Sequence, residues 1–520
     1  MKNYLFTQVN SWKKVVNTSD LSILLYCLIL SFLFLLLATK SSPLYPFNDW
    51  VDSNSFFTVG KGMVHGKVPY RDLFEQKGPN IYLLHALAYL ISNKTFFGVF
   101  ILEVISFSVF LYFGFKILIL FVSRIIALSV LIIPTAITLN FYSFTHGDSV
   151  EEFTLPLIMI GLYHLIRYLK DEKYNPLPNK VFFWNGLMAG FIFWSKYSLL
   201  GFWIGWILVV SLNMIAGKYI KQLIHGGLIF LGGIIVATIP WFIYFGLNNA
   251  IHDWLYTYIF ILTNIYPSDT SLNLWLVHIY QHLLRQITKD PVNNLLLFSG
   301  ILIFFINMKY KISLINKIGI LVCISLQVAG LYYGGRGQRY SYLIMAPFLI
   351  FLAIIIADFI KSKISVNTVE KYFFPLKASI LFLSLTATLL FNQNTYFLKY
   401  DREDLVQYKF AEIINKSENP TLLNYGTLDI GLYTVTGIVP NIKFFMKTPL
   451  NYELFPLVID EQNRYIKEGL IEYVVVTSLL IKPIDINDIP YLVENYELIA
   501  SESQIFEKNE NLYHLYRLKN

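Results

Sequence analysis

The chain has 520 residues, 55% of them hydrophobic and 14% charged, with a formal net charge of +7 and a mean hydropathy of +0.53. Soluble proteins carry about 25% charged residues, so the composition excludes a soluble globular domain and predicts an α-helical polytopic membrane protein. The basic balance is assigned to loops on one membrane face rather than to nucleic acid. The two cysteines, Cys27 and Cys323, each lie in an apolar run, which excludes a disulfide framework or a cysteine-rich metal site.

Apolar runs of about 17–25 residues can cross the hydrocarbon core. They predict about eleven spans, near residues 21–39, 95–122, 124–139, 149–166, 181–195, 198–216, 223–246, 292–308, 318–333, 341–358 and 377–393. The first of them reads as a membrane helix and not as a cleaved signal. The run Ile81–Ile91 is too short to cross and is expected to be a helix lying at the interface or partly re-entering. Basic residues mark the cytoplasmic loops. Lys2, Lys13 and Lys14 place residues 1–20 inside, and the groups at 167–180, 218–221, 309–317 and 361–377 follow the same rule. The first loop (40–80), Asn140–Asp148, the long connection Leu247–Asp290, the turn Gly334–Tyr340 and everything after the transmembrane domain (21–396) then fall outside. Residues 397–520 carry more charge and shorter apolar runs. Strands at Leu422–Tyr425 and Tyr473–Thr477 and helices at Glu403–Ile414 and Tyr452–Glu468 predict a small α/β domain that covers the outer face or docks an acceptor.

Charge concentrates in the first external loop, NDWVDSNSFFTVGKGMVHGKVPYRDLFEQKGP. Asp49 and Asp52 are three apart and would share one cavity if the loop opens in a helical turn. Each could serve as a general base, help to hold Mg²⁺ or Mn²⁺, or cap a helix. Lys77, before Gly78-Pro79, sits at the depth of a lipid phosphate, where it is either a phosphate ligand or a snorkelling lysine. Glu75 could pair with it or act as a second acid. In THGDSVEEF, Asp148, Glu151 and Glu152 enter a span from outside; carboxylates at membrane depth are costly and usually functional. Lys196 reads as an interfacial anchor or as a further phosphate ligand. Arg336 and Arg339, in GGRGQRYSY, have the glycine-rich setting and bidentate geometry that suit phosphate, with Arg339 favoured because it abuts the next helix.

Several of these pieces together resemble a family. Asp52-Ser53, the G-x-x-P-Y-R-D stretch Gly66–Asp72, Lys77-Gly78-Pro79, GDSVEE and RYSYLIMAP are similar to the first loop, acidic span entry and Arg-Tyr segment of the bacterial glycosyltransferase-39-like group. That group lies within the GT-C membrane glycosyltransferases, with the protein O-mannosyltransferases and aminoarabinose transferases. The resemblance covers about residues 20–395. The chain departs from the adjacent Asp-Glu of the mannosyltransferases and from the His-Lys-Pro-Pro type of the lipid A enzymes. Which acid is the base is therefore open. The resemblance implies transfer of a sugar from a polyprenyl-phosphate donor, undecaprenyl in a bacterium, to an acceptor hydroxyl at the outer face of the plasma membrane. The acceptor would be teichoic acid or another wall polysaccharide, a lipid or a protein. Asp52, or else Asp49, would be the base of an inverting displacement. Lys77, Arg339, Arg336 and Lys196 would hold the donor phosphate. Glu75, Asp148, Glu151, Glu152 and Tyr340 would shape the sugar and acceptor sites. A divalent ion, if used, would fall on Asp49 and Asp52. The alternatives are a transporter or flippase for a lipid-linked sugar, and a non-catalytic assembly partner.

Overall fold

The computed structural model describes residues 20–170, 175–267, 272–310, 312–333, 336–363, 366–506 and 509–519. Lys2, Lys13, Lys14, Lys173, Lys311 and Gly334–Gly335, all used in the topology above, lie outside them. Among the described residues seven helical stretches are long and apolar enough to cross a membrane: Asp20–Ala38, Phe97–Leu118, Asn179–Ala216, Ile220–Leu247, Leu314–Leu331, Arg339–Lys363 and Phe374–Phe391. The pair Leu274–Lys289 and Pro291–Ile306, bent by 113°, makes an eighth if taken as one span.

Every expected span falls on helix, but not on eleven uniform rods. The run near 124–139 is two short helices, Arg124–Val130 and Ile132–Asn140. The helix Val150–Lys170 has Glu151 and Glu152 in its first turn and Arg167 and Lys170 in its last. Two expected spans form the near-continuous stretch Asn179–Ala216, broken by a 3₁₀ turn at Tyr197–Leu200. The connection 247–290, expected as a loop, is mostly helical, with segments from Ile251 to Asn264 and from Leu272 to Lys289.

The first loop folds into two short helices. Val51–Val64 ends in His65 and in Gly66 at φ 79°, a left-handed position that glycine supplies without strain. Pro79–Ile91 begins with proline at its first position, where no N–H is needed. At 13 residues it spans about 20 Å, short of the roughly 30 Å hydrocarbon core.

The C-terminal region forms a four-stranded sheet, in the order β1-β2-β4-β3. It is built from β1 (Leu422–Tyr425), β2 (Tyr473–Leu479), β3 (Tyr496–Phe506) and β4 (Asn509–Leu518). β1 and β2 are parallel, with Leu422 opposite Tyr473; β4 is antiparallel to both β2 and β3. Helices Val406–Ile414 and Leu457–Lys467 sit close to their expected positions.

This sheet domain does not hang from the membrane part by a linker. One apolar core joins Phe47, Phe56, Phe57 and Tyr70 of the first loop to Ile430, Tyr433, Phe445 and Val474. Polar bonds cross the same boundary. Thr58 donates to Asp429 at 2.6 Å, Thr434 to Asn54 at 3.0 Å and the Phe74 N–H to the Lys443 carbonyl at 2.9 Å. The fully buried Lys61 donates to the carbonyls of Tyr433, at 2.6 Å, and Ile438. Burial lowers the pKa of this lysine and raises that of Asp429, each against the attraction of the other. Gly431, at φ 97°, leaves no room for a side chain: a Cβ would lie 2.4 Å from the Phe47 ring. The loop helices are thus clamped between bundle and sheet domain, which fixes what their first turns present.

Candidate active site

A cleft with about 950 Å³ of empty space, partly open to solvent, lies where the first loop meets the ends of the bundle helices. Asp52, Glu75, Lys77, Lys196, Arg336 and Tyr340 line it, together with Tyr258, Tyr266 and Leu428. Asp52 stands in the first turn of Val51–Val64. Its Oδ2 accepts the Tyr340 hydroxyl at 3.1 Å and lies 3.6 Å from Lys77 Nζ. The helix N-terminus favours the carboxylate.

Lys77 is held by its backbone. Its N–H donates to Glu75 Oε2 at 2.7 Å, and its carbonyl accepts Tyr70 at 2.7 Å and Tyr82 at 3.1 Å. Tyr82 also donates to Glu75. Burial opposes the charge on Lys77, but Tyr340, Asp52 and Glu75 outweigh it and hold the pKa well above the ordinary lysine value. Lys196 is paired with Glu151 at 2.5 Å, donates to the Ser341 hydroxyl oxygen at 3.0 Å, and lies 5.5 Å from the centre of the Tyr340 ring. Arg336 stacks on Tyr266 at 4.2 Å and donates to the Pro449 carbonyl. Three cations therefore face two carboxylates on the cleft wall, a balance suited to a bound anion.

Gly78 sets the distance between Lys77 and the end of the helix that carries Lys196. Its N–H donates to the Ser195 carbonyl at 3.2 Å, and a Cβ would fall 2.1 Å from the Trp194 carbonyl oxygen. Gly78→Ala is expected to push the Lys77 loop away from that helix. It should cost about 1–3 kcal/mol in stability and lower any turnover at least tenfold; thermal unfolding and a turnover assay on the same preparation check both.

The remaining candidates are placed behind the cleft or away from it. Glu151 reaches it only through Lys196. Asp148, at φ 61°, lies one layer back: its Oδ2 is 2.9 Å from His85 Nε2. His85 Nδ1 faces the Ile81 carbonyl at 2.8 Å, so the ring satisfies both acceptors only as imidazolium or with a proton on Asp148. Glu152 accepts the Asp148 N–H at 2.9 Å, inside the helix packing. Arg339 is turned inward, donating to the Tyr142 carbonyl at 2.7 Å and to Gln393, and does not line the cleft; of the two arginines it is Arg336 that does.

Asp49 and Asp52 do not share a cavity. The helix begins at Val51, so Asp49 precedes it and the expected three-residue spacing on one face does not apply. Asp49 is 3% exposed and ion-paired to Lys40 at 2.7 Å, while Asp52 has Lys77 beside it. The pair does not fit a shared divalent ion, and no group of three or more His, Cys, Asp or Glu residues able to hold one occurs among the described residues. Sequence reasoning missed His85 and Glu103. Glu103 is fully buried in the span Phe97–Leu118 and accepts Thr39 at 2.9 Å and the Asp148 N–H at 2.8 Å. An acid within an apolar run was the available signal.

The helices, a clamped first loop and a small sheet domain make a polytopic membrane protein. Solved structures agree. ArnT from Cupriavidus metallidurans bound to undecaprenyl phosphate superposes with a TM-score of 0.55 at 10% identity, over 95% of this chain and 97% of that one. Its apo state gives 0.56 at 10% identity, with the same coverage. The archaeal oligosaccharyltransferase AglB from Archaeoglobus fulgidus, in complex with an inhibitory peptide and a dolichol-phosphate, gives 0.46 at 11% identity over 88% of this chain and 69% of that one, too low to carry an argument. No protein-family model matches the sequence, and no curated protein does.

Proposed function

We propose that this chain is a membrane glycosyltransferase. It moves a sugar from a polyprenyl-phosphate donor to an acceptor hydroxyl, at the extracytoplasmic face of a bacterial plasma membrane. The observation that carries the reading is a helix-terminal carboxylate, Asp52, set 3.6 Å from a lysine in a cleft that also holds Lys196 and Arg336. The fold shared with an ArnT structure bound to undecaprenyl phosphate supports it.

In this reading Lys77, Lys196 and Arg336 hold the donor phosphate and stabilise the charge it gains as the leaving group. Arg339 supports the cleft wall through Tyr142 rather than touching the phosphate. Asp52 takes the proton of the acceptor hydroxyl, whose oxygen attacks the anomeric carbon as the bond to phosphate breaks. One displacement inverts that carbon. Tyr340 orients Asp52, Glu75 fixes the Lys77 loop, and Glu151 orients Lys196. Asp148, Glu152 and Asp49 hold the surrounding loops in place.

The test is release of polyprenyl phosphate from a synthetic polyprenyl-phosphate hexose by the purified full-length protein, with and without EDTA. Turnover in both arms is expected. A protein that binds the lipid but turns over no donor, and moves it between leaflets of a vesicle instead, would be a transporter.

A further inference from the structure

A second cavity, with about 1,400 Å³ of empty space partly open to solvent, lies on the sheet domain at the carboxyl ends of the parallel strands β1 and β2. Ligands of parallel sheets bind at such ends. Its walls are polar, and four of its residues have buried side-chain atoms with no hydrogen-bond partner in the protein: Asp49 Oδ2, Gln407 Oε1, Thr477 Oγ1 and Gln504 Nε2. The other end of each amide is in use. Gln407 donates to the Ile430 carbonyl at 2.9 Å, and Gln504 accepts the Val406 N–H at 2.8 Å. The two glutamine side chains are therefore held in place, and each keeps one polar atom unpaired within the protein beside the groove. Asp49, Gln407 and Thr477 are 3%, 2% and 7% exposed.

The chemistry of these four atoms selects a ligand class. Two are acceptors only, one is a donor and one is a hydroxyl that can be either. A phosphate or carboxylate offers acceptors alone and would meet the Asp49 and Gln407 oxygens unfavourably. The groove's charges, Asp49, Asp485 and Asp488 against Lys447 and Lys482, give no cationic field for a polyanion. A peptide adding to the sheet would need a free strand edge, but β1 is already bonded to residues 445–447, through the Asn424 N–H to the Phe445 carbonyl and the Lys447 N–H to the Thr427 carbonyl, both at 3.0 Å. Sugar hydroxyls, each both donor and acceptor, match the set.

The groove and the active-site cleft are lined by neighbouring stretches of chain. Asp49 and Val51 line the groove and Asp52 the cleft; Thr427 and Ile430 line the groove and Leu428 the cleft. At both places residues neighbouring in sequence line the two cavities. We propose that the groove is a docking site for a neutral saccharide chain, whose end reaches Asp52 as the acceptor of the transfer. Its role as acceptor site rests on the proposed function; its binding of saccharide does not.

The test uses the full-length protein in lipid nanodiscs, because glycoside detergents would compete. The probes are arrayed neutral tetrasaccharides of glucose, galactose, rhamnose and N-acetylglucosamine, with heparin and an extended-peptide array beside them. Retention of at least one neutral saccharide is expected. Gln504→Ala and Asn511→Ala, both on the groove lining, should each weaken it at least tenfold; the first also removes the acceptor of the Val406 N–H and lowers the unfolding temperature, while Asn511→Ala leaves the unfolding temperature unchanged. Asp52→Asn binds as wild type does. No saccharide retained, retention indifferent to both groove substitutions, or preference for heparin or peptide overturns the proposal. Donor turnover measured on the same samples is a separate reading, so loss of one does not stand in for loss of the other.

Discussion

Asp52→Asn is expected to lower sugar transfer by about 10²–10⁴-fold, the range of a general base, and to leave folding intact. Asparagine keeps the shape and the oxygen that accepts from Tyr340, so that bond at 3.1 Å can persist. What it removes is the capacity to take a proton and the negative charge 3.6 Å from Lys77. Donor binding should therefore survive while the chemical step fails. The measurement is release of polyprenyl phosphate beside binding of labelled donor, for wild type and variant, with unfolding temperatures compared. A variant that still turns over would remove Asp52 as base and leave Glu75 as the other carboxylate of the cleft. Glu75 is less suited, because its Oε2 already accepts the Lys77 N–H and the Tyr82 hydroxyl.

Lys77→Met is expected to cost about 10²–10³-fold in turnover, the effect of deleting one donor aimed at developing charge. Methionine keeps the apolar stem against Phe56, whose ring centre lies 5.6 Å from the ammonium. The loop is held by the backbone bonds of Lys77 to Glu75, Tyr70 and Tyr82, and the substitution leaves these untouched. The loss should fall more on kcat than on KM, because the phosphate gains charge as the sugar leaves. Steady-state kinetics with a polyprenyl-phosphate hexose separates the two. An effect confined to KM would make Lys77 a ground-state anchor and transfer the leaving-group role to Lys196 and Arg336.

Much of the fold was legible because it follows from local rules. Apolar runs of membrane length fold as helices whatever their neighbours, since lipid leaves the backbone no other partner. β1 was readable to the residue, and β2 from its first residue, as short apolar runs between turn signals. The strands β3 and β4 were not: their sequences, YELIASESQIF and NENLYHLYRL, mix charge with apolar residues and become a hairpin through pairing with each other and with β2. The connection 247–290 was read as a loop because its apolar residues are interrupted by polar ones at helical spacing, a pattern that suits helices at a surface as well as loops.

The candidate site divides in the same way. The sequence by itself determined that charge collects in the first loop, at the 145–153 entry and around Arg336, because burying charge beside a membrane is too costly to leave unpaired. It also marked Lys77, before Gly78-Pro79, as a candidate phosphate ligand. Only the tertiary structure decided which charges meet. The helix start at Val51 sends Asp49 to Lys40 and Asp52 into the cleft; the inward turn of Arg339 to Tyr142 leaves Arg336 at the opening; and Glu151 pairs with Lys196, 45 residues away. The physical reason is one of range. Hydrophobic length and turn chemistry act over a few residues and are written in order along the chain. The pairing of charges depends on where distant helices end, and the shared core of first loop and sheet domain sets that only once both have folded.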